Sequence, residues 1–311
     1  VKRIQYDRYG GPEELRLDEV ALPEPGRGQI RVRIKAASVN PMDWVIRKGQ
    51  VKVMTGSKFP RGLGHDFAGV VEALGPGVRS LKIGDEVLGA TSLKAAGTFA
   101  DALITEAKNA VIKPSALSFE VASALPIVAI TAWTGLIDKA KLCAGQSVFI
   151  SGCLGGVGRA AVQLALLRGA VVTGSCSAAG RDEALALGIS EVVDYRTFDA
   201  KRFGRRFDVV FDTAGALSLG QCDTLLKRSG KALHIVNTPA KFLLSFFSSR
   251  HETVFGTPTP QGWAGILDAA VKGELAPKIG KTVALSEAIP AIVALETTGL
   301  PKGKVLIVPA G

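Results

Sequence analysis

The stretch FISGCLGGVGRAA, residues 149–161, runs from an apolar segment through four glycines into alanine-rich sequence. Glycine weakens strands and helices alike, because it costs backbone entropy and brings no packing surface. A cluster of glycines where a strand stops and a helix starts therefore needs a local cause. Gly152, Gly155 and Gly158 form G-x-x-G-x-x-G between a predicted strand and a predicted helix, the setting in which such a pattern points to a dinucleotide. There the glycines permit a tight turn, let the backbone approach a pyrophosphate and allow the helix to pack on the strand. Helix amides and the helix dipole then hold the negative charge. The plainer reading of the same residues is a tight turn with no ligand.

Outward from this run the chain repeats a strand-helix unit. From Ser118 onward it reads as helix, SVFISG, helix, AVVTGSCS, helix, SEVVDY, FDVVFDTAG, helix and KALHIV, which predicts an α/β domain with a parallel sheet covered on both faces. Before that point, short alternating runs broken by Gly and Pro, such as QIRVRIKAASVNP and FAGVVEALGPGV, predict a barrel-like β unit. After about residue 250 two helical stretches precede GKVLIVP, whose alternation suits a return to the β unit. The expected division is 1–117, 118–250 and 251–311, the first and last belonging together.

With 311 residues, 47% hydrophobic and 21% charged, the chain has the composition of a globular protein. Its formal charge of +10 admits nucleic acid, an anionic membrane or phosphorylated small molecules as partners. The densest basic cluster, Lys201, Arg202, Arg205 and Arg206, carries no aromatic interleaving beyond Phe203 and Phe207 and reads as a solvated loop, so no nucleic-acid partner is expected. Four cysteines without C-x-x-C or metal-ligand spacing suggest free thiols in a reducing compartment, the cytoplasm by default. The uncharged stretch from Val121 to Ile137 is shorter than the ~20 residues of a membrane span and reads as a buried helix.

The end of the second predicted strand discriminates between dinucleotides. An NAD site places a carboxylate about 20 residues beyond the first glycine, whereas this chain offers GSCSAAGR, Gly174 to Arg181. Ser175 and Ser177 supply hydroxyls, and Arg181 a guanidinium suited to a 2′-phosphate. The expected cofactor is NADPH. The alternative is that Arg181 is a helix-start surface residue.

Nearly the whole chain resembles the medium-chain dehydrogenase/reductases, and within them the zinc-free quinone oxidoreductase branch. The motifs that carry the resemblance are SVNPMDWVIRKG, GHDFAGVVEALGPGV, IGDEV, LPIVAITAWTGL, GGVGRAAVQLA and GKVLIVP. It implies a GroES-like barrel made from both chain ends, a Rossmann-type domain between them, a site in the cleft and a homodimer. It also implies that Gly155, Gly156 and Val157 line the pyrophosphate. Asn40 and Thr131 would lie near the nicotinamide ribose or amide, and Ser175, Arg181 and Tyr195 around the 2′-phosphate. Asn40 also reads as a turn residue before Pro41, Thr131 as a helix residue bonded to its own backbone, and Tyr195 as an exposed strand end.

Zinc-dependent relatives use a cysteine where this chain has Asn40, and no cysteine precedes Cys143. His65, between glycine and aspartate, reads as a structural hydrogen-bonding residue, and no metal is expected. His234 falls in a predicted core strand and His251 in a loop. The resemblance implies hydride transfer to a quinone or an α,β-unsaturated carbonyl, in which positioning and a few donors suffice. No general acid is assigned, and solvent protonates the product. The alternatives are an enoyl-thioester reductase and an NADPH-binding redox sensor or membrane-peripheral protein. The apolar run KFLLSFF, Lys241 to Phe247, reads as a lid or substrate wall, or as a helix in the core or at a subunit contact.

Overall fold

A computed structural model describes residues 1–235, 248–299 and 301–309. The KFLLSFF run lies outside the described residues. The chain divides into two compact units, Val1–Ile127 with Pro277–Gly311, and Val128–Ala276.

The first unit opens with β1 (Lys2–Tyr6), β2 (Arg16–Glu19) and β3 (Gln29–Ser38). In β3, Ile30, Val32 and Ile34 point inward while Arg31, Arg33 and Lys35 alternate outward, the period of a strand with one buried face. Helix α1 (Pro41–Arg47) starts at Asn40 through a capping box with Asp43, and the short α2 (Lys52–Thr55) follows. Next come β4 (Arg61–Gly62), β5 (Asp66–Leu74), β6 (Glu86–Ala90), β7 (Ala102–Glu106), β8 (Ala110–Ile112) and α3 (Phe119–Ser123). The core gathers Ile4, Tyr6, Ile30, Val32, Phe67, Val71 and Phe99.

The stretch expected as one buried helix is two. After α3 a second helix, α4 (Pro126–Trp133), begins on the proline and runs into a π-helical turn, Thr134–Lys139. Proline suits a first helical turn but interrupts the one before it, so Pro126 restarts the helix.

The second unit continues with β9 (Ser147–Ser151), α5 (Gly156–Leu167), β10 (Val171–Cys176), α6 (Arg181–Ala186), β11 (Glu191–Asp194), β12 (Phe207–Asp212), α7 (Leu219–Leu225), β13 (Leu226–His234), β14 (His251–Thr253) and α8 (Pro260–Val271). Its strands pair in parallel in the order β11-β10-β9-β12-β13-β14. This is the doubly wound arrangement whose direction reverses between β9 and β12, where such sheets bind ligands at their carboxyl ends.

The unit ends at Ala276, later than the residue 250 expected from sequence. The reason is α8, which packs on α4: a Cβ on Gly265 would stand 2.2 Å from Cη2 of Trp133. Beyond it, the Ala276 amide donates to Gln163 Oε1 at 2.9 Å.

The chain then completes the first unit with β15 (Ile279–Ala284), α9 (Ala288–Thr298) and β16 (Lys304–Val308). β16 pairs antiparallel with β3, giving the order β15-β16-β3-β5-β6-β8 with β7 on β3. On α9, Glu296 forms a bidentate pair with the fully buried Arg47, at 2.9 and 2.8 Å, and takes a third contact from Lys48 at 2.7 Å.

Candidate functional site

In the second unit the four glycines occupy the turn from β9 into α5, and three have separate tasks. Gly152 has φ +63°, a left-handed conformation that most side chains disfavour, and a Cβ there would meet Ala214 at 2.9 Å. A Cβ on Gly158 would stand 2.1 Å from the Gly152 carbonyl oxygen, so α5 sits directly on the turn. Gly155 is the N-cap of α5, and it and Gly156 are exposed, with Val157 half-buried. The first amides of a twelve-residue helix thus face an open surface at the switch point, the geometry that suits a pyrophosphate.

At the end of β10, Ser175 is buried and its Oγ accepts from the Gly152 amide at 3.4 Å. It braces the turn. Ser177 caps a short 3-10 turn, Ala178–Gly180, and is half-buried. Arg181 is exposed, and its Nη1 donates to the Val192 carbonyl at 2.8 Å, which lays the guanidinium across β11. Tyr195 is 53% exposed just after β11. Arg196, which the sequence reading passed over, stacks its guanidinium 5.5 Å from the centre of the Tyr195 ring. Register brings one carboxylate close: Asp194 on β11 lies opposite Cys176. It accepts from the Arg196 amide at 3.0 Å. The rim therefore gathers Ser177, Arg181, Tyr195 and Arg196.

Behind the turn lie residues that the motif does not reveal. Ser151 Oγ donates to Asp212 Oδ1 at 2.6 Å and accepts from the Ala214 amide at 3.2 Å. Asp212 also accepts from the amides of Ala216 and Leu217, at 3.0 and 3.4 Å. Together they press the loop after β12 against Gly152. Cys153 and Cys176 are buried neighbours, and burial pushes the Cys153 thiol up to about 12, so this thiol stays protonated. Thr131 is 8% exposed on α4. Its Oγ1 would stand 2.9 Å from a Cβ on Gly256, which places it against the loop after β14.

In the first unit Asn40 is one member of a buried polar cluster. Its Nδ2 donates to Asp66 Oδ2 at 2.8 Å, and its Oδ1 accepts from Lys304 Nζ at 2.7 Å. Asp66 also accepts from Ser38 Oγ and from the Ile127 amide, both at 3.0 Å. Burial pushes Asp66 up and Lys304 down from their ordinary values, while the ammonium, 3.8 Å from the carboxylate, opposes the first shift. His65 donates through Nδ1 to Asp43 Oδ1 at 2.8 Å, while its Nε2 is buried without a partner among the described residues. Tyr6 is fully buried and held up at about 12 by that burial, and the Tyr9 hydroxyl is bonded to the Gly56 carbonyl.

This donor set does not fit zinc. An amide stands at the expected thiolate position, and the Lys304 ammonium, 2.7 Å from that amide's Oδ1 and 3.8 Å from the Asp66 carboxylate, would repel a dication held there. Among the described residues no three His, Cys, Asp or Glu side chains gather in a metal-binding group.

Residues 26–115 match the alcohol dehydrogenase GroES-like domain, and residues 187–307 match a family described as zinc-binding dehydrogenase. Over 250 residues, 77% of this chain and 76% of the relative, the sequence is 33% identical to a chloroplastic quinone-oxidoreductase homologue of Spinacia oleracea. The chain belongs to the quinone oxidoreductase family. A second relative of this family member is the chloroplastic NADPH-dependent alkenal/one oxidoreductase of Arabidopsis thaliana, 32% identical over 78% of this chain and 64% of that protein. The structure of Escherichia coli quinone oxidoreductase complexed with NADPH superposes with a TM-score of 0.84, at 26% identity, over 99% of this chain and all of that one. The quinone oxidoreductase fold thus extends over the whole chain, a medium-chain dehydrogenase/reductase with a GroES-like unit and a Rossmann unit.

Proposed function

We propose that this chain is an NADPH-dependent reductase that passes hydride, without zinc, to a quinone or an α,β-unsaturated carbonyl. The observation that carries this reading is the β9–α5 turn: left-handed at Gly152, closed against α5 at Gly158, and open at Gly155 and Gly156. Gly152, Gly155, Gly156 and Val157 hold the pyrophosphate. Ser177, Arg181 and Tyr195, with Arg196 beside them, receive the 2′-phosphate, and Ser175 braces the turn beneath it. Thr131 lies on the nicotinamide side. Asn40 acts through its fixed place in the cluster with Asp66 and Lys304, since both ends of its amide are engaged. NADPH supplies the hydride. For a quinone the balance is one hydride and one proton added, giving the quinol and NADP⁺; for an enone the hydride adds at the β-carbon and the proton at the α-carbon. Solvent supplies that proton.

The chain works as a homodimer in this reading, as the resemblance implies, and the thiols of Cys143, Cys153 and Cys176, which form no disulfide, suit a reducing compartment. Among the described residues no helix is long and apolar enough to cross a membrane.

The test is NADPH oxidation, beside NADH, with a naphthoquinone, a phenanthrenequinone, a 2-alkenal and an enoyl-CoA in the presence of a chelator. Turnover with a quinone or the alkenal, selective for NADPH and unchanged by chelation, is the expected result. Activity confined to the enoyl-CoA would point to the thioester reductase instead, and loss of activity on chelation would overturn the zinc-free mechanism.

The 2′-phosphate assignment has its own check. Arg181→Glu removes a charge-assisted hydrogen bond, worth about 1.5–3 kcal/mol, so NADPH affinity should fall by roughly 10- to 100-fold while NADH affinity changes little. Equal losses for both dinucleotides in fluorescence titrations would refute it.

A further inference from the structure

Four titratable side chains run in a line across one face of the parallel sheet. Asp212 ends β12 and His234 lies opposite it in register on β13. His251 opens β14 opposite Ala232, a correction to its expected place in a loop, and Asp223 lies on α7. A parallel sheet covered by helices is ordinarily apolar on both faces, so a polar line through four elements needs a reason. His234 and His251 are 1% and 3% exposed, whereas the Asp223 side chain is 53% exposed. The two rings lie within 2° of parallel, with Nε2 of His234 3.2 Å from Nδ1 of His251. Nε2 of His251 is 3.2 Å from Asp223 Oδ1.

These pairings place the hydrogens. A carboxylate only accepts, so His251 carries its proton on Nε2, and its neutral ring offers Nδ1 as an acceptor to His234 Nε2–H. That leaves His234 Nδ1 bare. This atom is buried, has no hydrogen-bond partner among the described residues, and faces Asp212 Oδ2 at 3.9 Å. Its carboxylate neighbour is the one that holds the loop after β12 against Gly152.

We propose that Asp212, His234, His251 and Asp223 form one proton-binding unit that couples dinucleotide binding at the glycine turn to pH, with His234 as the positioning residue. One proton is taken up from solvent and added at the bare His234 Nδ1, turning the 3.9 Å approach into an ion pair, while Asp223 holds the tautomers that leave that atom bare. No covalent bond between heavy atoms changes. The added positive charge sits two strands from β9, where the cofactor brings its phosphates. Each favours the other, so binding takes up protons and affinity rises as pH falls.

The charged groups facing the rings, among the described residues, are Asp212 from β12, Asp223 from α7, and Arg250, whose Nε lies 3.5 Å from Asp223 Oδ1. Lys231 and Glu252 alternate to the opposite face of the sheet. Burial also pulls His251 below its ordinary value, against the carboxylate of Asp223, which keeps that ring neutral at neutral pH.

The inference rests on the NADPH reading, and the experiment separates the two. Calorimetric titration with NADP⁺, in buffers of different ionisation heat at pH 6 and pH 8, counts the protons taken up; the cofactor's own phosphate contributes equally to wild type and variants. At pH 6 the wild type should take up about half a proton more than His234→Gln, and its affinity should gain about 3- to 10-fold more between pH 8 and 6. Asp223→Asn, a surface change that spares the core, should shift both quantities in the same direction. Equal proton uptake in the wild type and both variants overturns the inference. A wild type that binds no NADP⁺ overturns the NADPH reading instead. In that event histidine side-chain NMR decides on the proton unit: His234 and His251 titrating as a coupled pair that Asp223→Asn perturbs would sustain it, and independent titration would refute it.

Discussion

Gly158→Ala is expected to weaken NADPH binding by about 100-fold, the equivalent of about 3 kcal/mol, and to lower thermal stability. In an ordinary helix this substitution stabilises by about 1 kcal/mol, because alanine loses less backbone entropy than glycine. Here the sign reverses. The new methyl would stand 2.1 Å from the Gly152 carbonyl oxygen and 3.0 Å from the Cys153 Cα. Both are backbone atoms that cannot swing aside. α5 must therefore lift from the turn, which carries the Gly155 and Gly156 amides away from the pyrophosphate. Gly220→Ala on α7 is the matching control, since none of the described residues lies within 4 Å of a Cβ at that position; it should leave binding unchanged and be neutral or slightly stabilising. Cofactor fluorescence and thermal melts of both variants decide the matter. A Gly158→Ala chain that binds and melts like the wild type would show that the turn is not held by this contact.

The second large effect concerns stability rather than binding. Glu296→Ala strands the guanidinium of Arg47, which is fully buried and whose Nη1 already lacks a partner among the described residues. Breaking one side of a buried ion pair costs about 3–5 kcal/mol, so the melting temperature should drop by roughly 10 °C. Burial alone would raise the Glu296 carboxyl, but the hydrogen bonds from Lys48 and Arg47 win and hold it below its ordinary value of 4.5. A carboxylate lowered by folding adds stability that is complete above its unfolded value and is lost as pH falls through its folded one. The deficit of Glu296→Ala should therefore be largest at neutral pH and shrink below about pH 4.5. A variant that melts within a degree or two of the wild type at pH 7 would show that the pair adds little.

What sequence reading could reach was decided by distance along the chain. The β9–α5 turn is local: strand, glycines and helix sit within about twenty residues, and the motif carries its own context. That the sheet is parallel followed from the alternation of strands and helices for the same reason; the order of its strands did not. The partners of Asn40 were out of reach. Lys304 reads as the start of an alternating strand, and nothing near it announces a buried ammonium bonded to a side chain 264 positions away. His234 and His251 each looked like an isolated histidine, because register between β13 and β14 is a property of the sheet. The end of the second unit was misplaced because α8 is amphipathic in an ordinary way, and only its contact with Trp133 says which core it joins. Arg196 had a weak local signal, a cation directly after Tyr195 at a strand end, and could have been found from it.

The assembly of the first unit from both ends of the chain also sets an order of events during synthesis. Residues 128–276 form a unit that is contiguous along the chain, so they can close on themselves as soon as they emerge. The first 127 residues cannot. Until β16 arrives, β3 lacks its neighbour on that side, Asp66 lacks the ammonium of Lys304 and Asn40 Oδ1 lacks its donor. Lys304 is the first residue of that last strand. The first unit thus stays incomplete until the second has been made, and one late lysine completes both the sheet and the charge balance within it.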